Sequence, residues 1–127
     1  MAEGISVTGN KKLKTLKKEI NKKFPYLRLS VYPLSEKKKS SKTPHGSEKR
    51  ISEVRTKTNP GDISIHGRTL ASSIEKQFEK IFGLYAQVCY TESDGGRFYT
   101  SGSLDDMNLT QLNKHGEKEG WKKRVWK

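Results

Sequence analysis

Apolar residues recur at helical spacing between Arg68 and Phe82, and this is the strongest pattern in the chain. The apolar positions are three or four residues apart: Leu70, Ile74, Phe78, Ile81 and Phe82. The residues between them are polar or charged, which predicts a helix with one buried face. Gly83 is expected to end this helix. Alternation then predicts a half-buried strand whose inward residues are Leu84, Ala86, Val88 and Tyr90.

A second helix and strand are predicted nearer the N-terminus. A narrow apolar stripe runs through Leu13, Leu16, Ile20 and Phe24. It predicts a helix over residues 11–23, with Asn10 as its N-cap. Pro25 ends this helix, and the alternation after it predicts a strand over residues 26–32. Leu27, Leu29 and Val31 are the inward residues of that strand, and Tyr26, Arg28, Ser30 and Tyr32 are the outward ones.

The two helix-strand pairs align when the chain is shifted by 58 positions on itself. Leu16, Ile20 and Phe24 then fall on Ile74, Phe78 and Phe82, and the pair Ile51 and Val54 falls on Leu109 and Leu112. The shift indicates two related units, 11–66 and 67–127, after a flexible N-terminus at 1–10. Each unit is interpreted as helix, strand, connection, short helical turn and strand, with GWKKRVW as the last strand.

These elements predict an α+β fold. Two main helices are expected to pack on one antiparallel or mixed sheet of five or six strands. The connection at 33–50 has no apolar period and is expected to be a mobile loop. At the matching place in the second unit, the turn Asp94-Gly95-Gly96 predicts a hairpin that leads into a strand at 97–100.

The positive charge of the 127-residue chain is concentrated in the first unit. The net charge is +12. Residues 1–58 hold 16 Lys and Arg against 5 Asp and Glu, whereas residues 59–127 hold 10 against 9. Lys11, Lys14, Lys18 and Lys22 are predicted to line the first helix, opposite its apolar stripe and without acidic neighbours. Such a ridge is typical of a solvated helix face, and it also suits a phosphate backbone.

Further candidate contacts lie after the first helix. Lys37, Lys38 and Lys39 form a second basic cluster in the mobile loop. Arg28 stands between Tyr26 and Tyr32 on the outward side of the first strand. Aromatic rings beside an arginine on an open sheet face can stack on unpaired bases, although tyrosine is also an ordinary residue on the solvent face of a strand.

No arrangement typical of an active site or a metal site is found in the sequence. Cys89 is the single cysteine, and His45, His66 and His115 lie in different segments without zinc-ligand spacing. Whether the carboxylates of Asp94, Asp105 and Asp106 gather at one place is left open. We expect no enzyme activity, no cofactor, no metal and no membrane span, and a cytoplasmic location.

The segment EKQFEKIFGLYAQVCY, preceded by ISIHG and followed by LTQLN, resembles a group of small bacterial proteins of uncharacterised function. Those proteins carry two helix-FG-strand units. The resemblance covers Asp62 to Asn113 and is weaker in the first unit, where Pro25 stands in place of the glycine. It implies a fold arrangement and no activity.

Charge and pattern together favour a non-enzymatic protein that binds nucleic acid or belongs to a nucleoprotein assembly. The alternative is a protein-binding module that takes an acidic protein partner or self-associates through a sheet edge.

Overall fold

The computed structural model describes residues 4–36, 46, 48–57, 63–100 and 102–123. The predicted basic cluster Lys37, Lys38 and Lys39 lies outside the described residues, as does most of the predicted loop 33–50. The described residues form five strands and four α-helices, which confirms the α+β class. In chain order they are β1 (Ile5–Val7), α1 (Leu13–Lys23), β2 (Leu27–Pro33), α2 (Ile51–Val54), β3 (Ile63–Ile65), α3 (Ala71–Gln77), β4 (Leu84–Thr91), β5 (Arg97–Tyr99) and α4 (Leu109–Glu119).

The strands form two antiparallel sheets, so the prediction of one sheet is wrong. β4 lies between β2 and β5 in a three-stranded sheet, in which Leu29 is opposite Val88 and Tyr90 is opposite Phe98. β1 and β3 form a separate ribbon in which Ser6 is opposite Ser64. Each strand of this ribbon has only three residues. β3 confirms the strand expected at Ile63 and Ile65, whereas β1 was not predicted.

β1 also corrects the prediction of a flexible N-terminus over 1–10. Ile5 and Val7 are both buried in the core, and Ser6 between them is exposed. This is the alternation of a half-buried strand over the three residues of β1.

Several contacts around the helix starts recur 58 positions apart. Leu13 N donates to Lys49 O, and Ala71 N donates to Met107 O. Ile51 N donates to Lys11 O, and the matching bond joins Leu109 N to Thr69 O. β1 and β3 are also separated by 58 positions, and they pair with each other. The interpretation as repeated units stays a prediction. In the structure a short strand precedes each long helix, β1 before α1 and β3 before α3.

The C-terminal part of the second unit differs from its prediction. Trp121–Lys123 are not in a strand, and residues 124–127 lie outside the described residues. α4 runs for 11 residues where a single helical turn was predicted. Asn108 and Gln111 form a capping box at its start. Gly116 is buried within this helix, where a side chain would collide with Trp121 and Tyr26.

One hydrophobic core joins both sheets and the helices. α3 contributes Ala71 and Ile74, and its π-helical continuation Phe78–Phe82 contributes two phenylalanines whose rings meet edge to face at 5.6 Å. Leu70, expected in the apolar stripe, is 39% exposed because it precedes the helix as its N-cap. In the part of the chain that is described, no helix has the length and apolar character needed to span a membrane.

The helix ends explain where the chain turns into the two long strands. α1 begins after Lys12, so the prediction of Asn10 as N-cap is wrong, and Lys12 provides no side-chain cap. The π-helical continuation of α3 ends at Gly83, which has the left-handed φ of 64°. This confirms the predicted stop, since glycine adopts that conformation without the Cβ penalty of other residues.

Candidate nucleic-acid interface

The three-stranded sheet has one apolar face and one polar face. Alternation along β2 buries Leu27, Leu29 and Val31 in the core, as predicted, and places the residues between them on the opposite side. β4 and β5 contribute to this second side through the strand register. We call it the polar sheet face: Arg28, Ser30, Tyr32, Tyr85, Gln87, Cys89 and Tyr99.

A recess of about 320 Å³ opens on the polar sheet face. The register brings most of its lining together, because Arg28 is opposite Cys89, Ser30 is opposite Gln87, and Cys89 is opposite Tyr99. Its lining residues are Arg28, Ser30, Tyr32, Gln87, Cys89, Phe98 and Tyr99. Gln87 and Cys89 are buried at the centre, whereas Phe98 is 47% and Tyr99 is 53% exposed. The recess therefore has a buried polar centre and exposed aromatic rings on its β5 side.

Burial holds two tyrosines of the polar sheet face, Tyr32 and Tyr85, in their neutral form. The rings of Tyr32 and Tyr85 lie 5.8 Å apart, inclined at 39°. Burial raises the pKa of Tyr85 to about 12, and the negative charge of Glu75 adds to the effect. Burial also raises the pKa of Tyr32, and a hydrogen bond with Ser30 offsets part of the rise. Neutral phenols can stack on bases and donate hydrogen bonds.

Cys89 is not arranged as a nucleophile. Burial raises the pKa of its thiol, and the hydrogen bond to Ser30 and the charges of Arg28 and Lys17 offset only part of the rise. The sulfur donates to the Ser30 hydroxyl across 3.7 Å. Since the thiolate is the reactive form, a raised pKa leaves Cys89 as an inert thiol in this strand.

The lysines predicted along the first helix do not form one uninterrupted ridge. Lys11 precedes the helix, so helical spacing does not apply to it, and its ammonium group pairs with Glu19 at 2.5 Å. Lys14 lies 3.5 Å from Glu48, a pair too exposed to bind its partner tightly. Lys18 and Lys22 are exposed. The prediction that this face has no acidic neighbours is therefore wrong, and its exposed part is the row Lys14, Lys18 and Lys22.

α1 brings positive charge to the edge of the polar sheet face. The helix packs on β2, the outermost strand on that side of the sheet. The Asn21 amide donates to Leu27 O at 3.2 Å, which fixes the end of the helix against the start of the strand. Lys17 lies one helical turn before Asn21. Its charge is close enough to Cys89 to offset part of the rise in the pKa of that thiol. Lys14 and Lys18 form the adjacent row of the helix surface, because positions three and four apart are neighbours.

Tyr26 does not share a face with Tyr32, contrary to the prediction. It precedes β2, and its backbone N–H donates to the side chain of Asn113 in α4 at 3.1 Å. The ammonium group of Lys123 lies 5.6 Å from its ring centroid. Tyr99 takes the predicted place of Tyr26 beside Arg28 and Tyr32. Only the β4–β5 register identifies Tyr99, because residues 97–99 are too few to reveal which side faces the core.

The remaining candidate residues are used locally. Trp121 is buried and stacks on Tyr90 with ring centroids 4.0 Å apart. Asp94 accepts the backbone N–H of Gly96 in the hairpin turn, and Asp105 accepts the hydroxyl of Thr100. Within the described ranges, no group of three or more His, Cys, Asp or Glu side chains is placed to hold a metal ion.

Comparisons with models of protein families, with curated proteins and with solved structures found no match to this chain. The resemblance to the bacterial group with two helix-FG-strand units stays a prediction.

Proposed function

We propose that this protein is a non-enzymatic, cytoplasmic nucleic-acid-binding accessory protein that takes single strands on its polar sheet face. The observation that carries the proposal is the grouping of Arg28, Tyr32 and Tyr99 around one recess on that face. Stacking on aromatic side chains of a sheet is a general way to hold unpaired bases, because every base has a π face.

The charge around the recess supports a polyanion as the ligand. Arg28 lines the recess, and Lys17 of α1 is close enough for its charge to act on Cys89 at the centre of the recess. Cationic side chains next to a stacking surface can follow the phosphates of a bound strand. Stacking and phosphate contact require no cofactor, and none is part of the proposal.

The proposal is tested by fluorescence anisotropy with single-stranded RNA, single-stranded DNA and duplex DNA over a range of salt concentrations. We expect single strands to bind more tightly than duplex, with affinity falling steeply as salt rises. Tyr99→Ser should weaken single-strand binding by about 1–3 kcal/mol, the value of one base–aromatic stack. Tyr99→Phe keeps the ring and should bind as the parent does.

The double variant Lys76→Gln, Lys80→Gln is the matched charge control. These lysines lie in α3 and its π-helical continuation, where the neighbouring Glu75 and Glu79 already offset their charge. This variant should keep the affinity of the parent. Absence of binding to any nucleic acid at low salt would overturn the proposal. Equal affinity of the parent and a folded Tyr99→Ser variant would show that Tyr99 does not stack on a bound base.

A protein partner is the second candidate, and the exposure of Phe98 and Tyr99 on β5 favours it. β5 is an outermost strand of the three-stranded sheet as described, and such a strand can pair with an added one. An acidic protein segment would also complement Arg28 and the α1 lysines. Binding through apolar contact at β5 would depend little on salt, which separates it from phosphate binding.

A further inference from the structure

The β5 edge of the three-stranded sheet carries two adjacent exposed aromatic side chains. Phe98 is 47% and Tyr99 is 53% exposed, and among the described residues Leu70 is the only other large apolar side chain that is exposed. Phe98 is also the outer end of a row of stacked rings. Its ring centroid lies 5.8 Å from that of Tyr90, which lies 4.0 Å from that of the buried Trp121. A row of rings that ends half exposed at the edge of a sheet offers a surface for one more ring.

The backbone of β5 is arranged to take another strand. Thr100 N donates to Val88 O, and every second residue of an antiparallel pair is bonded in this way. Phe98 is therefore bonded to β4, whereas the N–H and C=O groups of Arg97 and Tyr99 point away from it. Of the strands that the structure describes, none lies on that side of β5. This edge therefore suits an extended polypeptide that presents an aromatic side chain.

We propose that the occupant of this edge is a second copy of this chain, which pairs β5 with β5 in antiparallel fashion and so forms one continuous sheet. Pairing of the outward backbone groups puts Arg97 opposite Tyr99 of the second copy, and each such pair exchanges two hydrogen bonds. The same register puts Phe98 opposite Phe98 of the second copy, at a position where side chains approach most closely. The two rows of rings then join into one. The inference does not depend on nucleic-acid binding.

Charge favours a second copy over an acidic partner at this edge. Residues 59–127, which contain β4 and β5, hold 10 Lys and Arg against 9 Asp and Glu, a balance of +1. α1 packs on β2 at the opposite edge of the sheet, so an acidic strand would be drawn to β2 rather than to β5. In the joined sheet, the two copies of β2 are five strand spacings apart, or about 24 Å. This distance exceeds the Debye length of about 8 Å at physiological salt, so the lysines of the two α1 helices repel each other only weakly.

The first test is sedimentation velocity of the full chain over a series of protein concentrations, without nucleic acid. A three-residue strand makes a small interface, so we expect a weak dimer whose fraction rises with concentration. Amide hydrogen exchange measured by NMR at low and high concentration adds a residue-specific result. The N–H groups of Arg97 and Tyr99 should become protected as the dimer forms. The N–H of Phe98 should be protected at both concentrations, because it is bonded to β4 within one copy.

The second test uses the variants Phe98→Glu and Phe98→Lys. Each variant alone removes the aromatic pair and places like charges opposite each other, so dimerisation should weaken by about 10-fold or more. An equimolar mixture of the two variants places opposite charges across from each other and should restore the dimer. Leu70→Lys is the matched control, because it adds a charge at the other exposed apolar side chain, and it should dimerise as the parent does.

Three outcomes would overturn the inference: a parent that is monomeric at every concentration, a dimer that persists in the folded Phe98 variants, or a mixture of those variants that stays monomeric. If a monomeric parent instead binds an added acidic peptide and the N–H of Tyr99 becomes protected, the occupant is a protein partner and not a second copy. None of these outcomes decides whether the chain binds single strands, which fluorescence anisotropy measures separately.

Discussion

The pair α1–β2 and the pair α3–β4 are each a helix followed by a strand, and they differ in how the helix ends. α1 ends at Lys23 and is followed by Phe24 and Pro25. α3 continues through a π-helical turn to Gly83. Thr56, from the chain after α2, donates its backbone N–H to Phe82 O and its hydroxyl to Gly83 O. The end of α1 is therefore set by neighbouring residues, whereas the end of the α3 segment is held by hydrogen bonds from a segment distant in sequence.

The two pairs also differ in charge. The half of the chain that contains α1 and β2 has a balance of +11, and the half that contains α3 and β4 has a balance of +1. Both helices bury the same kind of apolar stripe. The two helices therefore bury similar faces, although the halves of the chain that contain them differ in charge.

The largest expected effect is on stability and tests whether the stripes are equivalent. Phe78 and Ile20 are separated by 58 positions, and both are buried. Phe78→Ala should lower the free energy of unfolding by about 3–5 kcal/mol, and Ile20→Ala by about 2–5 kcal/mol, through lost burial and a cavity. Chemical denaturation measures both, with exposed Thr15→Ala as the control. A midpoint for Phe78→Ala close to that of the parent would contradict the shared core.

The next effect tests the different helix ends. Gly83→Ala should be clearly destabilising, because its left-handed φ costs about 1–2 kcal/mol for another residue and the new methyl group would collide with the Thr56 hydroxyl. Gly120 has a similar φ of 75°, and open space surrounds its Cβ position. Gly120→Ala should therefore cost only the conformational term. Equal thermal shifts for the two variants would show that the contact with Thr56 adds nothing.

The smallest effect on stability comes from the charge difference. Replacing Lys14, Lys18 and Lys22 by Gln changes exposed or half-exposed positions, so the free energy of unfolding should stay within about 0.5 kcal/mol of the parent. The salt slope for single-strand binding should fall by about 0.7 for each lost phosphate contact. The Lys76 and Lys80 variant should keep the slope of the parent. A slope that responds equally to both variants would show that the two helices do not differ in binding.

Much of the fold follows from local pattern. Apolar spacing predicted α1 and α3, alternation predicted β2 and β4, and Asp94-Gly95-Gly96 predicted the hairpin. These elements are long enough, or have turn residues specific enough, to be recognised from neighbouring residues alone. β1 was missed because three residues carry almost no period, and the long α4 was missed because its charged second half has no apolar stripe.

The sequence by itself determined which residues of β2 face away from the core, and so it identified Arg28 and Tyr32 as candidate ligand contacts. Only the tertiary structure decided what stands beside them. Strand pairing brought Gln87 and Tyr99 to Arg28, while Tyr26 was drawn to α4 and Lys11 to Glu19. The physical reason is range: periodicity reports which side of one element is buried, whereas a site is formed by the register between elements far apart in the chain.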